Sequence, residues 1–502
     1  MQYNTAPDDA RTCVSSNSAL TRRSLIGGIF CATLGSNLGG RLARGQATSA
    51  AAVAAPPLAL TLSRFLGSVR FEDLPPVAVE HAKMLVASTL ASAAPGSLIG
   101  SAKIVRELAK EHGGRAQATL WYDGTKLPIT EAARVNAMQS DAAASDDSDL
   151  RNVAHTGTTV TATGLAVAEQ THASGRDLLT AMVTGYEAAG RIGEALVSQP
   201  GFHASIVVAF GGAVATARLL GLTDEQTAHA ISLTATSMGG IGIGTNSWAR
   251  EYHAGNAAMT AVNTALAAGR GFTANPDLLE ARSGFFEVIG ADDADPSSLV
   301  RGLGEQWDIV THMAIKLVPG AHAFHPAVEA AVNAARQANV SPDDIADILV
   351  SGARLPSMRG AQPPRDLIEA IHSLPYFLAS AVADRDFSWI HATPEKIASP
   401  GMLRLIGLVR SDPSPPDVDY AWSWGATVTL VTNSGRRFTN TVDAPRGSGP
   451  RGIEWDDVNA KYRVLMPDAG LPAARTERIL ETIHRLEELD DVTELTDLLA
   501  PN

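Results

Sequence analysis

Apolar residues recur at helical spacing through most of the chain between Leu58 and His312. Ser174-Gly175-Arg176-Asp177 opens one such run, with Ser174 placed to cap and Asp177 to reach back to it. Leu178, Leu179, Met182, Val183, Tyr186, Ile192 and Leu196 follow as one apolar stripe. Thr223-Asp224-Glu225-Gln226 predicts a second helix start by the same logic, and Gly211-Gly212 and Gly239-Gly240 predict joints that interrupt the run. After about Met313 the period changes. Ser341-Pro342-Asp343-Asp344 predicts a helix start with proline at its first position, and Ile348-Leu349-Val350 a strand. Ala426–Thr432 alternates with period two, turns at Asn433-Ser434-Gly435 and returns over Arg437–Val442 as a hairpin. Trp455–Leu499 reverts to helix. The expected fold is mainly α with an α+β lid. Residues 58–312 form the first part of an all-helical domain, 313–452 an inserted α+β lid, and 453–502 the closing helical part, so both chain ends build the helical domain.

The stretch before Leu58 follows a different rule. Thr21-Arg22-Arg23-Ser24-Leu25-Ile26 is a twin-arginine pattern, followed by an uncharged stretch to Gly40, two more arginines and small residues at Gly45-Gln46-Ala47. That order predicts an export signal over residues 1–47 and a flexible Ala/Pro-rich leader over 48–57. The uncharged stretch is short and carries five glycines, below the ~20 apolar residues of a stable span. The expected location is the periplasm, with no membrane span.

Composition narrows the chemistry. Net charge is -13, and the first 47 residues contribute five Arg against two Asp, so the remainder stands at -16. Such a body repels a phosphate backbone, which argues against nucleic acid as a partner. Both cysteines, Cys13 and Cys31, fall inside the signal. The exported chain would have no thiol for a nucleophile, a disulfide or a cysteine-held cluster. No phosphate-loop signature and no His-Glu-x-x-His pair is present. Gly240-Ile241-Gly242-Ile243-Gly244 follows a helical segment rather than a strand, so it reads as a loop or helix break and not a dinucleotide site. His322 and His325 lack a clear third ligand, and no metal is expected.

What remains is a set of polar residues in small-residue, apolar surroundings: Asp146-Asp147-Ser148, His155, His203, Arg250, His253, Lys316, His322, His325 and Tyr376. Their surroundings resemble the MmgE/PrpD family, in order along the chain from about residue 60 to its end. Asp146-Asp147-Ser148 with His155 is similar to the family's D-D-T…H-P-S stretch. Gly201-Phe202-His203-Ala204-Ser205 running into Phe210-Gly211 resembles its G-F-H segment, and Arg250-Glu251-Tyr252-His253-Ala254-Gly255 its K-x-L-H-x-G. Lys316 and Pro319 through His325-Pro326-Ala327, His372-Ser373-Leu374-Pro375-Tyr376, and Val442 to Gly447 complete the likeness.

The resemblance implies a helical domain and lid, usually in a homodimer, with the active site between them. It also implies metal-free, cofactor-free lyase or isomerase chemistry on small di- or tricarboxylates. His155, His203, His322 and Tyr376 would be catalytic; Arg250, His253, Lys316, His325, Asp146, Asp147 and Ser148 would bind substrate. Imidazoles suit proton transfer near neutral pH, and Arg250 and Lys316 suit carboxylates. Three positions depart from the family pattern: Ala144 stands where many members carry Asp, Ser148 replaces Thr, and Arg250 replaces a Lys. A guanidinium cannot exchange a proton near neutral pH. The departures leave a second reading open, a non-catalytic periplasmic binding protein for an anionic metabolite.

Overall fold

The computed structural model describes residues 55–352 and 363–501. The twin-arginine segment and most of the leader lie outside these residues. The fold is mainly helical with a small α+β portion, as expected.

The helix Pro76–Gly96 is buried on nearly every side, and helices Ile129–Ala142, Thr156–Thr171 and Gly175–Leu196 pack around it. Helices Trp455–Leu465 and Ala473–His484, near the far end of the chain, pack on it too. One hydrophobic cluster accordingly runs from Val69 through Val262 and on to Ile453–Leu499. Both expected capping boxes form: Ser174 Oγ accepts from the Asp177 N–H at 3.2 Å, and Thr223 Oγ1 from the Gln226 N–H at 3.2 Å.

Gly211-Gly212 does not interrupt a helix; it lies inside Ser205–Leu219. A Cβ on Gly211 would stand 2.6 Å from Gly185 O, and one on Gly185 2.7 Å from Gly211 O. The glycines let two helix backbones touch, a packing contact rather than a break.

A second cluster, from Phe324 to Val442, belongs to the α+β part. Its sheet has the order Val409–Ser411, Ile345–Gly352, Ala426–Thr432, Arg437–Val442, with the first pair parallel and the others antiparallel. Helices His325–Ala338, Leu374–Asp384 and Gly401–Ile406 pack their apolar faces into this core. The expected hairpin forms, its threonines paired across the strands at Thr427–Thr441 and Thr429–Thr439. The helix expected after Ser341 does not: Pro342–Asp344 makes one 3-10 turn and leads directly into the strand. Ser341 caps that turn as it would cap a helix, and the apolar run from Ile345 then takes the chain into the sheet.

A two-stranded ladder ties the two parts together beside the cavity described next. Asp147–Asp149 pairs antiparallel with Met313–Ile315, Asp147 opposite Ile315. The Lys316 N–H then donates to Asp146 O at 3.0 Å. Gly320, at φ +99°, donates its N–H to Ala144 O at 3.0 Å. A side chain at Gly320 would meet the Phe377 ring at 2.0 Å, so glycine is needed there for both conformation and space.

Candidate active site

A cavity of about 390 Å³ opens between the helical and α+β parts, and His155, His203, Arg250, Lys316 and His322 line it. Ala144 and His372 are also among its lining residues, and no Asp or Glu is among those described. Helix starts converge on it. His155 precedes Thr156–Thr171, Ala204 precedes Ser205–Leu219, Arg250 is the second residue of Ala249–Gly269, and His322 is in the turn that runs into His325–Ala338. The leading N–H groups there are engaged within the protein, Gly157 on the Asp147 carboxylate, Ser205 on His203 Nδ1 and Arg250 on Ser247 O. A larger recess of about 540 Å³ near Leu66 and Asp224 holds no comparable set. The Arg218 guanidinium there is bound to Leu66 O at 2.9 Å and to Val69 O.

Behind the cavity wall lies an ion-pair cluster. Asp146 is fully buried; its Oδ1 takes Lys316 Nζ at 2.8 Å and its Oδ2 stands 2.7 Å from His155 Nδ1. The His155 Nδ1–H is directed to Asp147 O, also at 2.7 Å, so Asp146 Oδ2 acts on the imidazole chiefly as a charge. Burial alone would raise the Asp146 pKa, but the charges of His155, Lys316 and Arg250 hold it well below the carboxylate range. Burial would likewise depress His155; Asp146 outweighs it and holds the imidazole above its ordinary value. Asp147 is pushed up to about 6 by burial and by Asp146. It accepts from the Gly157 N–H at 2.9 and 3.0 Å and from the Tyr186 hydroxyl at 3.0 Å, which places it in support of the helix start rather than in the cavity. Ser148 Oγ stands 3.5 Å from His155 Nδ1 within the ladder strand.

The remaining histidines are pushed the other way. Burial and nearby positive charge take His203 down to about 3 and His372 to about 4, and burial takes His322 well below its usual range. His203 is locked as one tautomer: the Ser205 N–H donates to its Nδ1 at 3.1 Å, so Nε2 carries the proton. His322 has no exposed surface and no partner on either ring nitrogen; it sits 4.5 Å from the His325 ring and 5.6 Å from Trp424.

Arg250 is 3% exposed and lies at the cavity with its Nη2 turned away, donating to Asp141 O at 2.7 Å and Ala142 O at 3.4 Å, and its Nε unpartnered. It therefore closes the end of helix Ile129–Ala142 as well as bordering the cavity. Oxygens of Asp141 and Asp146 and a nitrogen of His155 lie within 4.8 Å of one another, a spacing that could hold a cation. Asp141 Oδ2 and Asp146 Oδ2 carry no hydrogen bond, but cations already neutralise both groups, Arg250 at 3.5 Å from Asp141 and Lys316 on Asp146 Oδ1, and His155 Nδ1 bears a proton toward Asp147 O. That chemistry fits an ion-pair cluster better than a metal centre.

Besides Asp146, Asp147 and Ser148 behind its wall, three more expected site residues do not line the cavity. Tyr376 is fully buried in the core of the α+β part, its hydroxyl donating to His391 O at 2.8 Å and its N–H to Ser373 Oγ at the helix cap. His253 stands behind His203, ring to ring at 5.8 Å, and does not line the cavity. His325 backs His322 and faces a separate recess of about 370 Å³. Two residues outside the expected set join it. His372 lines the cavity, and Lys461 lies behind the acidic loop, its Nζ donating to Ser88 Oγ at 2.7 Å and to Ser145 O, its pKa drawn down by burial to about 7. Nothing near Lys461 in sequence marks it, since its partners come from the other end of the chain.

The MmgE/PrpD N-terminal domain model matches residues 60–297, and the MmgE/PrpD C-terminal domain model matches residues 319–488. Among curated proteins, cis-aconitate decarboxylase of Homo sapiens is 24% identical over 440 residues, covering 84% of this chain and 90% of the relative. Cis-aconitate decarboxylase of Aspergillus terreus is 27% identical over 462 residues, covering 85% and 93%.

Proposed function

We infer the function from one premise, that the chain belongs to the MmgE/PrpD family, and propose a cofactor-free lyase acting on a small di- or tricarboxylate in the 390 Å³ cavity. The observation that carries this reading is the lining itself. Lys316, Arg250 and His155 face a space to which no described acidic side chain contributes. Such a space favours carboxylates and the extra charge that develops beside them during the reaction.

His155 is the acid in this proposal. Its Nδ1–H is held by Asp147 O, and no hydrogen bond among the described residues engages Nε2. Asp146 keeps the ring in its imidazolium form to higher pH than a free imidazole. In a decarboxylation the C–C bond breaks, CO2 leaves, and the electron pair stays on carbon in conjugation with a carboxylate. His155 Nε2–H then delivers a proton to that carbon and is recharged from solvent. The Nε2–H of His203 and the Lys316 ammonium hold the negative charge meanwhile. The similarity to cis-aconitate decarboxylases makes cis-aconitate the first acid to try. Purified chain is expected to consume an acid from a panel of cis-aconitate, citrate and aspartate-type compounds. His155→Asn should lower kcat by roughly 10²–10⁴-fold; undiminished turnover in that variant would refute the assignment.

The proposal includes export by the twin-arginine route and assembly as a homodimer. Cell fractionation should find the chain in the periplasm only while Arg22 and Arg23 are intact, and light scattering should give twice the chain mass.

A further inference from the structure

We propose that His372, on the lid side, is the base of this cavity, paired with His155 as the acid. The inference rests on the reading of the cavity as an acid/base site and adds a residue and a reaction step to it. Its Nδ1 lies 2.9 Å from Ile368 O. A carbonyl oxygen can only accept, so Nδ1 carries the proton and Nε2 is left with a lone pair. No hydrogen bond among the described residues uses that atom. The ring lines the cavity, and burial first, then the charges of Arg250, Lys316 and His155, keep it neutral.

The other rings do not offer this. His203 accepts at Nδ1 from Ser205 and so presents an N–H at Nε2, while Asp146 favours the charged form of His155. His322 has no partner to fix either tautomer and lies enclosed against His325 and Trp424. His372 is the described lining histidine that is both neutral and fixed with its Nε2 lone pair free. Two groups whose surroundings push their proton affinities apart are the arrangement that acid/base chemistry uses. An arriving carboxylate would offset the positive neighbours and raise the proton affinity of His372 toward its working range.

The step this permits is elimination of water from a hydroxy di- or tricarboxylate. His372 Nε2 takes the proton from the carbon beside a carboxylate, that C–H pair becomes the C=C bond, and the C–O bond breaks. His155 Nε2–H protonates the departing hydroxide to water. His372 then returns its proton to solvent and His155 takes one up, so both groups are restored.

Two measurements on the full chain test this. In the first, histidine nitrogens are labelled and read by NMR, with His372→Asn used to assign the ring; Asn keeps a donor for Ile368 O. An unprotonated Nε2 is expected at pH 7, with a titration midpoint that rises by about one unit or more when tricarballylate is added. An Nε2–H tautomer, or a midpoint indifferent to tricarballylate, would overturn the proposal. In the second, citrate dehydration by His372→Asn should fall roughly 10²–10⁴-fold in kcat, with KM little changed. Added imidazole should partly restore His372→Gly, which a purely structural role would not allow. If His155→Asn abolishes turnover while His372→Asn does not, the lyase reading stands and His372 as base falls. If wild type turns over no acid, the lyase reading falls and the NMR midpoint alone decides His372.

Discussion

On the helical wall of the cavity the charged groups find partners within the protein. Asp146 takes Lys316 and His155, Asp141 takes Arg250, and Asp147 takes the Gly157 N–H and the Tyr186 hydroxyl. On the lid wall His322 borders the cavity with both nitrogens unpartnered, and His372 has a partner on one nitrogen only. Lys316 is counted with the helical wall because the Asp147–Asp149 ladder and its Nζ contact bind it to Asp146. An unpaired buried polar group costs about 1–3 kcal/mol. The helical wall also keeps Arg250 Nε and the Nε2 atoms of His155 and His203 without a hydrogen bond among the described residues. A fold that pairs the charges of one wall and leaves neutral rings on the other has fixed its electrostatic field beforehand and left hydrogen-bonding capacity for whatever enters.

The contrast can be broken most forcefully at Lys316. Lys316→Met should cost about 3–5 kcal/mol of stability in a denaturant titration, because it strips the ammonium from Oδ1 of the fully buried Asp146. A loss below 1 kcal/mol would mean that the helical wall is not held by its ion pairs. The pH–rate profile sharpens the comparison in a second way. The imidazolium of His155 is lost as pH rises through a pKa above the ordinary His value, which gives the basic limb. His372 loses its lone pair as pH falls toward about 4, which gives the acid limb in free enzyme. Each variant, His155→Asn and His372→Asn, should flatten its own limb of kcat/KM. Ala144→Asp is tolerable for the backbone, since φ is 49° and Asp accepts the left-handed region. It adds a carboxylate to a lining that has none, so tricarballylate binding should weaken about tenfold by calorimetry, ~1.4 kcal/mol. The smallest effect is expected at Tyr376→Phe. Loss of the bond to His391 O should cost about 1 kcal/mol and leave kcat within twofold, as befits a core residue.

What was legible in the sequence is what short-range chemistry decides. The boxes at Ser174–Asp177 and Thr223–Gln226 join side chains to backbone three residues away, and the 426–442 hairpin advertises itself by alternation and an Asn-Ser-Gly turn. Ser341 misled because its capping signal is the same for one 3-10 turn as for a full helix. Gly211 misled because its reason for being glycine, the Gly185 backbone, comes from another helix. The site divides similarly. Order along the chain brought forward His155, His203, Arg250, Lys316 and His322, which do share a cavity. It could not separate Tyr376, turned into the lid core, from His372 four residues earlier, turned into the cavity. Nor could it show that Arg250 spends one edge on the end of another helix.

The most direct test of the open lid wall is His322→Phe. Phe has a similar outline and no nitrogen to leave unpaired, so denaturant titration should show stability unchanged or raised by about 1 kcal/mol. Calorimetry with tricarballylate should then show binding to wild type at one site per chain and a loss of at least about tenfold in the variant. Equal affinity in the two proteins would mean that the unpaired histidine does not serve the ligand, and the distinction between the paired and open walls would fail.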